Sequence, residues 1–325
     1  MRKTINKLFL IITVISALLL TTGCDLFIKT NKGQVDQKWY MGLTYEDDNG
    51  NDTDYTIGTD GTIAAVALED GYGDEFGIIK GEEAYLNINT IIKNIDKRFY
   101  VDATNNLVMF TDATKTYKTK IGGKTINETE NTDYVISFMD GKNCYVNVKF
   151  VKKYVDFDYK VVKAEGKSPA RIVLKYTSGE KNQMTVKSNI EMRTKADYQN
   201  LIVTTLKKNT KVTVLEESGD WTKVGTDDGF MGYVPAKKLK DKETKKTEFK
   251  SDADTYTHVL MNKKISLGWN AITNLTANGN LETIIEHTKG LNVISPTWYS
   301  LSDNKGNLRS YASATYVEKA HSKGL

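Results

Sequence analysis

Short apolar runs separated by polar turns dominate the chain from about Thr30 to Tyr176, and they read as β-strands rather than helices. The alternation is clearest in Lys211-Val212-Thr213-Val214-Leu215, a pattern that predicts a half-buried strand. Glu217-Ser218-Gly219-Asp220 turns that strand and Trp221-Thr222-Lys223-Val224 returns it. Asp227-Asp228-Gly229 turns again, and Met231-Gly232-Tyr233-Val234-Pro235 closes the set. Strands this short over residues 183–241 predict a small all-β barrel. Further on the pattern changes. Lys264-Ile265-Ser266-Leu267-Gly268-Trp269 and Leu291-Asn292-Val293-Ile294-Ser295-Pro296-Thr297-Trp298-Tyr299 are apolar runs with a helically spaced stretch between them. A second helix starts at Thr315-Tyr316-Val317-Glu318-Lys319-Ala320-His321, so the order is that of an opening parallel α/β architecture. At the other end, Leu8 to Leu20 is mostly apolar but falls short of the ~20 residues of a comfortable membrane span.

An internal repeat organises the first module. Tyr85-Leu86-Asn87-Ile88 returns sixty positions later as Tyr145-Val146-Asn147-Val148, and Ile91 and Lys93 are matched by Val151 and Lys153. Each copy then reaches a β run, Leu107-Val108-Met109-Phe110 or Arg171-Ile172-Val173-Leu174. A short strand, a small helix and a two-stranded return fit both copies, which predicts a duplicated α+β domain over 24–180. The acidic stretch Glu46-Asp47-Asp48-Asn49-Gly50-Asn51-Asp52 lacks the glycine and glutamate of a calcium loop and reads as an Asn-Gly hairpin turn. Lys237 to Lys250 is lysine-rich, mixed in sign and without apolar periodicity. It reads as a solvated linker, placed at 242–256, whose positive excess suits anionic wall polymers.

Composition narrows the function classes. The 325 residues are 39% hydrophobic and 26% charged, values of folded domains rather than a disordered tail. Arg2, Lys3 and Lys7 precede the first apolar run, and the segment closes on Leu20-Thr21-Thr22-Gly23-Cys24, the layout of a targeting signal. Without residues 1–23 the 45 basic side chains become 42 against 41 acidic ones. The formal charge of +4 therefore belongs largely to the signal and gives no ground for nucleic-acid binding. Of the two cysteines, Cys144 sits in a strand setting and reads as a small buried side chain. The three histidines, His258, His287 and His321, lie near the C-terminal side. No Ser-His-Asp, Cys-His or metal-ligand spacing emerges, so no metal or cofactor is expected.

Four resemblances refine these expectations. The small residues before Cys24 resemble a bacterial lipoprotein signal, which implies lipidation of Cys24 and anchoring to the outer face of the cell membrane. An ordinary secretory signal with a chance cysteine stays open beside it. The duplicated domain over 24–180 resembles the N-terminal domain of copper amine oxidases, which implies a spacer or wall-binding scaffold. Copper is excluded here because residues 24–257 contain no histidine. Ile190-Glu191-Met192-Arg193, Thr205-Leu206-Lys207-Lys208-Asn209-Thr210, Gly219-Asp220-Trp221 and Gly232-Tyr233-Val234 follow in the order of the bacterial SH3-like domain. Asn209 replaces a glycine there, a mild change because asparagine tolerates a left-handed backbone. That resemblance implies a shallow groove for peptidoglycan or another wall polymer. Tyr198, Trp221 and Tyr233 are the aromatics that could edge it, and filling a small core is the other use open to Trp221 and Tyr233.

Residues 257–325 resemble the start of glycoside hydrolase family 18, of the spore-coat and cell-wall type, so an incomplete (β/α)8 barrel is expected. A whole barrel needs ~250 residues. The family's proton donor lies in an Asp-x-x-Asp-x-Asp-x-Glu run, and no aspartate here has another three places on. No catalytic residue is therefore expected in this chain. Trp269, Trp298 and Tyr299 end their strands where a barrel mouth would be, as unsupported apolar surface, and the segment is expected to pack poorly. Two functions remain: the non-catalytic front part of a wall-remodelling glycosidase, or a self-sufficient lipoprotein that tethers or senses wall polymer.

Overall fold

A computed structural model describes residues 30–58, 60–113, 115–250, 262–304 and 306–325. The signal segment 1–23 and Cys24 lie outside the described residues. Strands predominate, and two compact units divide the chain, Met1–Asp254 and Thr255–Leu325.

The first unit begins with helix α1 (Gln37–Tyr40) and the hairpin β1 (Thr44–Glu46) and β2 (Asp52–Asp54). The acidic stretch is that hairpin's turn. Gly50 takes φ +79° and the Asp47 carboxylate accepts from the backbone N–H groups of Asn49 and Asn51. A meander follows, β3 (Thr62–Ala67), β4 (Gly77–Lys80) and β5 (Glu83–Asn87), and then α2 (Ile88–Thr90), which continues as a π-turn to Ile95. Next come β6 (Phe99–Asp102), β7 (Leu107–Thr111) and β8 (Thr116–Lys120), a three-stranded sheet, and the short pair β9 (Thr125–Ile126) and β10 (Glu130–Asn131). The hairpin β11 (Ser137–Asp140) and β12 (Asn143–Asn147), helix α3 (Val148–Tyr154), β13 (Asp158–Val162) and β14 (Ala170–Lys175) complete the first half.

The main sheet runs β11-β12-β5-β4-β3-β14-β13, antiparallel except for β3 against β14. That parallel pair is buried on both faces. Ala64, Val66, Ile172 and Leu174 enter one core with the helices and β6–β8, whereas Ala65, Ala67 and Val173 face the opposite way. Two-sided burial explains why these strands read as continuous apolar runs instead of alternating ones.

The two Tyr-x-Asn segments of the sequence pair with each other. β5 and β12 pair antiparallel with Leu86 opposite Val146, so the two copies are related by a local two-fold centred there. Asn87 and Asn147 are both fully buried and play one role twice. Each carboxamide oxygen caps the following helix, accepting from the N–H of Asn89 (2.9 Å) or Lys149 (2.8 Å). Each carboxamide nitrogen donates to a glutamate, Glu75 (3.1 Å) or Glu83 (2.9 Å). The copies diverge afterwards: β6–β7 forms its own sheet with β8, while β13–β14 joins the main one. Cys144 is buried on β12, which pushes its thiol up to about 11.

The second half of the unit is one further sheet. It is built from β15 (Gly179–Val186), β16 (Ile190–Arg193), β17 (Ile202–Leu206), β18 (Lys211–Ser218), β19 (Trp221–Gly225), β20 (Met231–Pro235) and β21 (Leu239–Thr247). Their order is β17-β16-β20-β19-β18-β15-β21, an open series with β17 and β21 at its edges. Val186, Met192, Val203, Leu206, Val212, Val224, Val234 and Leu239 meet in a single core. Asn209 adopts φ +69°, the left-handed backbone that lets it stand in for glycine. The lysine-rich stretch is not a linker as far as Thr247. It is β21, seven of whose nine residues pair with β15 around a bulge, because a ladder to a formed partner needs no apolar periodicity.

The two halves, expected as separate modules, share this core. Val35, Met41, Leu43 and Ala65 from the first half enter it. Residues 31–35 strap the edge of β17: Val35 N–H donates to Ile202 O and Ile202 N–H to Gly33 O, both at 2.9 Å. The loop before β20 docks on β3 and β14. There Tyr72 donates its hydroxyl to Gly229 O (3.0 Å) and accepts from Met231 N–H (3.2 Å). A Cβ at Gly229 would stand 2.9 Å from Val173 Cγ2, and φ is +87°, so both space and backbone demand glycine there.

The second unit holds β22 (Leu267–Asn270), α4 (Leu281–Glu286), β23 (Val293–Pro296), β24 (Tyr299–Leu301), β25 (Leu308–Ser310) and α5 (Ala314–Ser322). β22 and β23 are parallel, as the pattern predicts. Contrary to the poor packing expected, the segment has a small core of Ile272, Leu281, Tyr316 and Ala320. Trp298 is part of it, not bare surface. Its ring meets Tyr316 edge-on at 5.3 Å and its indole N–H donates to Asn278 Oδ1 at 2.7 Å. Trp269 and Tyr299 remain open, at 78% and 61% exposed.

Replacing Asn147 with alanine removes a helix cap and a buried donor together, with an expected cost of about 2 kcal/mol. Urea denaturation of Asn147→Ala checks it, and an unchanged midpoint would contradict the capping role.

Candidate binding groove

On β19 the inward positions are Thr222 and Val224, both buried, which leaves Trp221 and Lys223 on the outer face. Tyr233 of β20 lies directly opposite Lys223, and Arg193 of β16 lies opposite Tyr233. One row across three strands thus reads Arg193, Tyr233, Lys223, with Trp221 two residues along the third strand. The loop 194–200 folds back and brings Tyr198 onto Trp221, ring centres 4.8 Å apart and planes at 62°. Neither Trp221 nor Tyr233 belongs to the core, which is made by the opposite face of the same strands. All three aromatics are half-buried.

Arg193 is the residue that sequence reasoning passed over as a site residue. It is 1% exposed although it sits on the outer face, because the loop and the N-terminal strap cover it. Its Nη1 donates to three carbonyls, those of Asn31 (3.0 Å), Tyr198 (2.9 Å) and Asn200 (2.6 Å). Its Nη2 pairs with the Glu191 carboxylate. The planar guanidinium satisfies these acceptors at once, which a single ammonium group cannot do. Arg193 therefore holds the backbone of Tyr198 in place, and with it the ring that meets Trp221. The only signal in the sequence is a charged residue ending the Ile190-Glu191-Met192-Arg193 strand, too weak to reveal three buried acceptors.

Near Tyr233 stands Tyr40 from α1, another contribution that no local motif announces. Its hydroxyl donates to Met231 O (3.1 Å), and burial, with Tyr233 nearby, raises it to about 12. Lys223 is tied down by donating to Asp70 O at 2.9 Å. The result is a firm outer face of aromatics, with polar groups largely engaged within the protein.

Residues 188–240 match the bacterial SH3 domain. The match begins just before β16 and ends at the start of β21, so it contains the aromatic row, Arg193 and the loop 194–200. It leaves out β15, most of β21 and the strap 31–35, which complete the SH3 core in this chain. No curated protein and no solved structure matches the chain. Trp269, Trp298 and Tyr299 belong to the second unit. Among the described residues no helix is long and apolar enough to cross a membrane.

Arg193→Lys should destabilise the protein by about 3 kcal/mol, since buried carbonyls lose their donor while a charge stays buried. Chemical denaturation measures the loss, and faster amide exchange in the loop 194–200 than in β19 would accompany it.

Proposed function

We propose that this chain binds a bacterial cell-wall polymer, peptidoglycan first among them, through the outer face of its SH3 domain. The observation that carries the reading is the Tyr198–Trp221 pair, held outside the core by a fully buried arginine. Flat, rigid aromatic rings offer contact area at little entropic cost, and pre-positioning them lowers the ordering that binding requires. Tyr233 extends the same surface.

The basic start, the apolar run and Cys24 support a lipid anchor at Cys24 and an extracytoplasmic position on the outer membrane face or in the wall. Residues 24–180 act as a copper-amine-oxidase-N-terminal-like scaffold without a site of its own. Residues 257–325 take the part of a family 18 barrel start, a reading supported by the parallel β22–β23 pair with α4 between them. The chain itself is non-catalytic because it contains no Asp-x-x-Asp-x-Asp-x-Glu run. The core shared by the two halves of the first unit makes that unit a binding body in its own right, which favours tethering or sensing as the second reading.

The test uses the full chain on purified peptidoglycan in a sedimentation assay. Trp221→Ala and Tyr198→Ala should each lower retention about tenfold, the loss of a buried aromatic contact of the size typical of hot spots. Retention equal to that of the unaltered chain would remove the groove from the proposal. Incubation with chito-oligosaccharides should release no product, and measurable turnover would overturn the non-catalytic assignment.

A further inference from the structure

Away from the aromatic face, the junction between the main sheet and the SH3 sheet encloses a cavity of about 230 Å³. Its floor is apolar, with Val173 of β14, Met231 of β20 and Leu215 of β18. Its rim is basic: Lys175, Lys181, Lys211 and Lys245 all line it, against the carboxylates of Glu69 and Asp227. We propose that this cavity binds a phosphate ester, with the lysines around the phosphate and its carbon body on the apolar floor.

The strand register is the second ground for this. Lys181 of β15 and Lys245 of β21 stand directly opposite each other in an antiparallel pair. Like charges in that position destabilise a sheet, and the carboxylate of Glu69 offsets only one of the two. Glu69 meets Lys181 at 2.6 Å, Asp227 meets Lys175 at 2.8 Å and Glu243 meets Lys211 at 3.3 Å. Lys245 has no ion-pair partner among the described residues. Glu69 is already committed further, accepting from the backbone N–H groups of Tyr176 (3.2 Å) and Thr177 (3.3 Å). One exposed ammonium group at the rim is therefore left without a counter-charge from the described residues.

The donor set favours phosphate over carboxylate. Among the described residues no arginine lines the cavity to offer the planar fork that recognises a carboxylate. Ammonium groups on flexible stems are point charges that can gather round a tetrahedral oxyanion from several strands. Thr213 and Thr247 line the same space and add hydroxyl donors, whereas the Thr226 hydroxyl is committed to the Asp228 carboxylate. A phosphate of this kind can come from a small free ester or from the repeating unit of a phosphodiester wall polymer.

The site does not depend on the aromatic groove, and the experiment separates the two. The ¹⁵N-labelled full chain is titrated with glycerol 3-phosphate, with polyglycerol phosphate and with glycerol as the uncharged control. Saturable amide shifts at Thr213, Thr226 and Lys245 with either phosphate compound, and none with glycerol, are expected. Tighter binding of the polymer would identify the wall source, and equal or tighter binding of the monomer the free ester. The Lys181→Gln/Lys245→Gln double variant should weaken binding at least tenfold, whereas Trp221→Ala should leave it unchanged. Lys245→Gln alone removes only an exposed, unpaired charge; it should keep the fold and still weaken binding. Failure of both phosphate compounds to saturate, or unchanged affinity in the double variant, overturns the proposal.

Discussion

Two-sided burial of the parallel pair β3–β14 is the constraint on which the first unit rests. One face of the pair closes the core of the first half and the other receives the SH3 sheet. A parallel pair left bare on one side would expose Ala65, Ala67 and Val173 to water. The SH3 sheet supplies that cover, and in return its own core is completed by Val35, Met41, Leu43 and Ala65. Neither half is a finished globule without the other. Both the aromatic face and the basic cavity inherit their rigidity from this arrangement.

Much of this was legible in the sequence. Alternation and turn residues located β16, β18, β19 and β20, and the paired Tyr-x-Asn segments located both copies of the strand-to-helix unit. Asn209 and Gly219 were recognisable because the backbone there needs a positive φ, which few residues accept. The Trp221 and Tyr233 positions were legible as aromatics, but not their side of the sheet. Only the register, with Val224 and Val234 inward, decides that they face out.

What stayed hidden depends on partners distant in sequence. β21 carries almost no apolar residue, so nothing in it signals a strand; its ladder comes from β15, some sixty positions earlier. Arg193 takes its importance from Asn31, 162 positions away. Trp298 was misplaced for the same reason, since its burial comes from Asn278 and Tyr316 rather than from its own strand. Periodicity reports which face a residue occupies and is silent on what arrives to cover that face.

The strap along β17 also fixes the route of mechanical tension. A pull between the N-terminal side of the chain and the aromatic face need not pass through the main sheet. It runs from residues 31–35 straight into β17, where the bonds joining Gly33 and Val35 to Ile202 resist together. Arg193 reinforces that path because one guanidinium holds the carbonyls of both Asn31 and Tyr198. Strap and aromatic face are thus joined through one side chain, and the main sheet beside them is spared the strain.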